Sequence, residues 1–143
     1  MTTTRCPFLG CALAALLLTV APLSAHHSTT AEFDVTKRVS LTGTMTKVDW
    51  ANPHIFVFID VKNPAGTADS WKLETNPPAW FRRVGVTRAE IARGIGQTVT
   101  VETNRAKDGS NYAYMLKLTF ADGQSLELVG AAAAAEGKPE GGK

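Results

Sequence analysis

The sequence predicts a mainly β chain: a small five- to six-stranded OB-like barrel with one short helical connection between strands three and four. Three observations lead there. Residues 32–129 are dominated by hydrophobic alternation of period two, the mark of half-buried strands. The alternation in the first strand slips by one after a glycine, as happens where a strand bulges or bends between two sheets. Helix signals are confined to residues 77–94, so the elements run strand, strand, strand, helix, strand, strand, the order of a five-stranded OB-type barrel. A small open β-sandwich, or a meander with one helix, is the competing architecture.

Strand one is expected over Val39–Trp50: Val39 and Leu41 alternate with polar residues, Gly43 interrupts, and Met45, Val48 and Trp50 resume out of phase. Asn52-Pro53 marks a turn. Strand two, His54–Lys62, puts Ile55, Val57, Ile59 and Val61 on one face and His54, Phe56, Phe58 and Asp60 on the other, and Asn63-Pro64-Ala65-Gly66 closes a hairpin. Strand three carries Trp71, Leu73 and Thr75 on one face, with Lys72 and Glu74 opposite. Pro77-Pro78 suits a helix start, Ala79–Val84 supplies one or two turns, and Thr87-x-x-Glu90 is a capping box for a second turn ending at Gly94. Val99 and Val101 belong to strand four, and Lys107-Asp108-Gly109-Ser110 is a tight turn. Tyr112, Tyr114, Leu116, Leu118 and Phe120 then occupy alternate positions of strand five, and Ala121-Asp122-Gly123-Gln124 turns into a short sixth strand with Leu126 and Leu128.

Composition agrees with one packed core. The chain has 143 residues, 44% hydrophobic and 20% charged, which suits a single globular domain and not a disordered, collagen-like or polytopic membrane chain. Residues 1–25 read as a secretory signal: Arg5 near the start, an apolar run from Ala12 to Ala21, and a small-residue region ending Ser24-Ala25. The run is shorter than the roughly 20 apolar residues a membrane helix needs. Release into the periplasm or medium is the expected fate, with the cut before or after Ala25. Cys6 and Cys11 both fall inside this segment, leaving the processed chain without a thiol, and Cys11 precedes most of the apolar run, unlike a lipoprotein cysteine. Without Arg5 the chain holds 14 basic against 13 acidic side chains, a net of +1 that gives no electrostatic case for nucleic acid. The organisation expected is signal 1–25, barrel domain 26–129 and an Ala/Gly-rich disordered tail over 130–143.

Several of these segments together resemble a family of small exported bacterial proteins classed as a domain of unknown function. They are His26-His27-Ser28, Thr42-Gly43-Thr44, Trp50-Ala51-Asn52-Pro53-His54, Lys107-Asp108-Gly109-Ser110 and Asp122-Gly123, in matching order over residues 26–129. The resemblance implies a soluble periplasmic OB-like barrel and carries no activity with it. The alanine-rich tail departs from the family pattern.

Chemistry can be sought first at the three histidines, His26, His27 and His54. A cut after Ala25 leaves His26 with a free α-amine and a ring nitrogen that chelate one metal, and a second imidazole completes a T-shaped set of nitrogens. A cut after Ser24 leaves Ala25-His26-His27, in which an amine, two backbone amides and the third-position imidazole form a square-planar site. Both sets suit Cu(II), so copper is the expected cofactor and His26, His27 and His54 the expected ligands. Reach is the test. His54 lies roughly 40 Å along an extended strand from Val39, and the segment His26–Arg38 must run back to meet it. The plainer alternative is a solvated terminus and a histidine that merely begins a strand.

A second candidate is a ligand or partner face. Phe56 and Phe58 oppose the aliphatic row of strand two, where OB barrels stack and hydrogen-bond their ligands; Trp71 is grouped with them as a docking residue. Arg82 and Arg83, with Arg88 and Arg93, form a basic cluster beside Trp80-Phe81 able to meet a carboxylate or phosphate. The alternatives are rings covered by the N-terminal segment and a solvated helix face. No Gly-x-Ser-x-Gly, phosphate loop or His-Glu-x-x-His occurs. The reading is therefore an exported binding module and not an enzyme, taking a metal ion or small ligand, with a structural module that docks a partner protein or glycan as the alternative.

Overall fold

The computed structural model describes residues 29–128. The expected leader and tail, and with them His26 and His27, lie outside the described residues. One helical turn, α1 (Thr29–Glu32), leads into β1 (Phe33–Asp49), followed by β2 (Phe56–Lys62), β3 (Ala68–Glu74), the short helices α2 (Pro78–Arg83) and α3 (Arg88–Ala92), β4 (Thr98–Ala106), β5 (Tyr112–Thr119) and β6 (Ser125–Glu127).

The sheet order is β3-β2-β1-β4-β5-β6, and a β3–β5 pairing closes the first five strands into a barrel with β6 added to β5. This is the OB-like arrangement. Closure depends on β1, which at 17 residues is long enough to pair with β4 over Arg38–Thr44 and with β2 over Thr44–Asp49. Thr44 faces both Asp60 and Thr98, so the strand changes sheets at Gly43-Thr44. Gly43 is needed there for room: a Cβ on it would overlap the Asp60 carbonyl oxygen and stand 2.9 Å from the carbonyl carbon. The register irregularity lies slightly later, between Met45 and Lys47, and it turns both Met45 and Val48 inward.

The aliphatic row of β2 is the core face, with Ile55, Val57 and Ile59 fully buried beside Leu73, Val101 and Leu118. Phe56 and Phe58 are half-buried on the outside. Trp71 differs from its expected surface role: it stands opposite Ile59, is 7% exposed and belongs to the core cluster. The expected single-face alternation of β5 is also corrected. Pairing passes from Glu102↔Lys117 to Thr103↔Met115, so Leu116 is an extra residue on β5. Ala113, Met115, Leu118 and Phe120 are buried, while Tyr112 and Tyr114 take the other face.

Between β3 and β4 the two helices cap the barrel. Pro78 supplies a first-turn residue whose missing N–H costs nothing there. The Thr87 hydroxyl accepts from Glu90 N at 3.2 Å and Glu90 Oε2 accepts from Thr87 N at 3.4 Å, which is the expected capping box. Phe81 and Ile91 are fully buried, and Phe81 packs on Trp50 and Trp80 with ring centroids 5.4 and 5.0 Å away. Among the described residues no helix is long and apolar enough to cross a membrane.

Candidate functional site

Strand pleating puts alternate residues of β2, β3 and β5 on one outer face. Phe56 stands opposite Glu74, and β3 runs parallel to β5 with Lys72 beside Tyr112 and Glu74 beside Tyr114. His54 and Asn76 extend the same rows by one step beyond each strand. Two backbone bonds fix that extension, Thr75 N donating to Ile55 O at 3.0 Å and Ile55 N to Asn76 O at 3.4 Å.

The side chains on this face form a connected network. His54 Nδ1 lies 3.1 Å from the Thr75 carbonyl and 3.2 Å from Glu74 Oε1. A carbonyl only accepts, so Nδ1 carries the proton, and in the neutral ring Nε2 keeps a lone pair for a ligand. The Tyr112 hydroxyl donates to the other oxygen of Glu74. Glu74 is thereby held from both sides while its side chain is only 12% exposed, against 35% for His54. Next to it the Tyr114 hydroxyl donates to Asn76 Oδ1 at 3.1 Å, and Asn76 Nδ2 donates to the Leu128 carbonyl. Lys72 Nζ sits 4.0 Å from the Phe56 ring centre and 5.1 Å from that of Tyr112.

Burial and the nearby Glu74 carboxylate disfavour a phenolate here. Burial first, then the hydrogen bond to Glu74, raises the Tyr112 phenol well above its ordinary value. Burial, then the Glu74 charge, pushes Tyr114 up from 10.0 to about 12. A folded-state pKa above the unfolded one means stability fully present below pH 10 and lost as pH rises through about 12. Tyr114→Phe is expected to flatten that alkaline loss, on the order of 1 kcal/mol after solvent screening. Urea unfolding midpoints at pH 9 and about 11.5 check it: an unchanged difference between wild type and variant would refute the assignment.

The N-terminal segment arrives at this same face. Phe33 is opposite Ala106 of β4, and its ring packs on Tyr112 and Tyr114 at centroid distances of 5.1 and 5.6 Å. Glu32 is near enough to add to the upward shift of Tyr112. The start of β1 and His54 meet the same network, because the Phe33 ring packs on Tyr112, the Tyr112 hydroxyl binds Glu74, and Glu74 lies 3.2 Å from His54 Nδ1. His26 precedes Thr29 by three residues, about 10 Å of extended chain.

Of the other expected site residues, Phe56 and Phe58 share this face, and Lys47 lies 5.2 Å from the Phe58 ring centre. Trp71 is on the inner face, and Arg82 and Arg83 are exposed in the last turn of α2. Arg93 is separately engaged, with Asp122 at 2.9 Å and the Phe120 ring 3.7 Å away. Glu74, Asn76, Tyr112 and Tyr114 were not singled out as site residues from sequence. The one hint was Glu74 opposite the core face of strand three. Among the described residues no group of three or more His, Cys, Asp or Glu could hold a metal ion, so His54 would need ligands from outside them.

The model of a family of unknown function, DUF6152, matches residues 14–115. That span takes in all three histidines together with Glu74, Tyr112 and Tyr114. No curated protein matches the chain.

Proposed function

The chain belongs to this family of unknown function, DUF6152, and we propose that, exported and cut after Ala25, it binds Cu(II) through the new amino terminus at His26 and through His54 Nε2. One observation carries the reading. His54 is pre-oriented as a ligand: Nδ1 is tied to the Thr75 carbonyl and to Glu74, itself gripped by Tyr112. Carboxylate–imidazole pairs of this kind fix the tautomer and raise the basicity of the nitrogen facing a metal. His26 and His27 supply the remaining nitrogens, and amine and imidazole donors favour Cu(II) among the divalent first-row ions. A single imidazole would bind weakly, so the reading depends on the processed terminus.

The test uses protein recovered from the periplasm, with intact mass defining its first residue, titrated with Cu(II) by calorimetry. Sub-micromolar binding is expected, abolished by His26→Ala and weakened about 10- to 100-fold by His54→Ala, with Glu74→Gln about 10-fold weaker. Millimolar binding, or indifference to His26→Ala, would overturn it.

A second reading, an accessory module docking a partner protein or glycan on Phe56 and Phe58, is supported by the half-exposure of those rings. Lys72 and Lys47 already occupy their faces, so a partner must displace both ammonium groups. Such a module would be insensitive to His26→Ala and sensitive to Phe56→Ala.

A further inference from the structure

The start of β1 leaves its partner strand for a short stretch. Phe33 pairs with Ala106 and Arg38 with Asn104, so β1 advances five residues while β4 advances two, and Asp34–Lys37 bow away. Asp34 Oδ1 accepts from Thr36 N at 3.1 Å and from the Thr36 hydroxyl at 2.6 Å, which holds the bow in shape. Between the bow and the β4–β5 turn opens a cavity of about 420 Å³. Its apolar lining comes from Val39 and Ala106; its charged lining comes from Asp34 and Lys37 on the bow, Arg105 on β4 and Lys107 on the turn.

Two of the three cations, Arg105 and Lys107, are held by neutral groups. The Arg105 guanidinium lies 4.7 Å from the centre of the Trp71 ring and donates to the Gly109 carbonyl at 3.4 Å. Lys107 Nζ donates to the Thr30 carbonyl at 2.6 Å. Among the described residues neither has a carboxylate partner; the salt bridge at the cavity is Lys37 with Asp34 at 3.7 Å. Asp34 is occupied by Thr36, whose hydroxyl and amide hold its carboxyl below the usual range. Three cations against one engaged carboxylate leave a positive cleft with an apolar floor. A planar guanidinium fixed by stacking has little left to lose in rotamer freedom when it meets a carboxylate.

We infer that this cleft is a binding site for a small organic carboxylate whose apolar body rests on Val39 and Ala106. Its volume falls within the range of about 300–1,000 Å³ usual for small-molecule sites. The inference is independent of the copper reading, since it uses none of the histidines.

Amide-resolved NMR titration of the full chain with sodium benzoate tests it, with benzyl alcohol as the neutral counterpart and sodium sulfate as the inorganic anion. Saturable shifts are expected at the Ala106 and Gly109 amides. Benzyl alcohol should bind at least about ten-fold more weakly, and Lys107→Gln should weaken benzoate about ten-fold. Lys37→Gln, on a side chain 80% exposed and therefore safe for folding, should weaken it about three-fold. No saturable shift up to about 20 mM benzoate, equal binding of the alcohol, or indifference to both lysine variants would overturn the site. Sulfate binding as tightly as benzoate would overturn its assignment to an organic anion.

Discussion

Gly43→Ala is expected to lower folding stability by about 3 kcal/mol or more, the high end of overpacking because both obstructing atoms are backbone. The added methyl carbon meets the Asp60 carbonyl where β1 passes between β2 and β4, and it also stands 3.1 Å from Val61 Cγ2. Neither strand can withdraw alone. Moving β1 off Asp60 disturbs the Gly43↔Val99 and Thr44↔Thr98 pairs on its other edge. Against the roughly 5–15 kcal/mol that holds a domain of this size together, such a loss is a large fraction. Urea unfolding followed by far-UV circular dichroism measures it, and a midpoint matching the wild type would show that the strand crossing is more compliant than its packing indicates.

Phe81→Ala should be comparably severe, about 3–5 kcal/mol, because it removes a fully buried ring from between two tryptophans. The helix that carries it has six residues, too few to be stable alone, so burial of Phe81 is what fixes α2 to the barrel. Phe81→Leu keeps most of the volume and should lose about 1–1.5 kcal/mol. The near-UV dichroism of Trp50 and Trp80 should collapse in the alanine variant before the far-UV signal does. Equal stability of the alanine and leucine variants would refute the anchoring role.

Much of this fold was legible because local chemistry and tertiary packing agree. Strand two shows it: the Ile55, Val57, Ile59 row is the core row, and the Thr87–Glu90 box opens a helix at the expected residue. Where the expectation failed, a tertiary event had no local signature. Phe33 to Arg38 extends β1 toward the N-terminus, yet its pairing is broken by the bow, and no alternation marks it. The irregularity at Leu116 reverses the phase of β5, so a row read as one face is split between core and surface. Trp71 alternates correctly with Leu73, but which side of a strand faces a barrel interior is settled by closure and not by the strand itself.

The candidate site was half legible for the same reason. His54 stood out as one of three histidines, whereas Glu74, Asn76 and Tyr112 are ordinary residues until β3 is laid beside β5. Their partnership spans 38 positions of sequence, a separation that no motif spacing encodes.

The hoop formed by the five strands is fastened by three rungs, Lys72 to Tyr112, Leu73 to Ala113 and Glu74 to Tyr114. Two side-chain bonds, Tyr112 to Glu74 and Tyr114 to Asn76, reach across that fastening from outside, so the network that orients the imidazole is also the clasp of the cask.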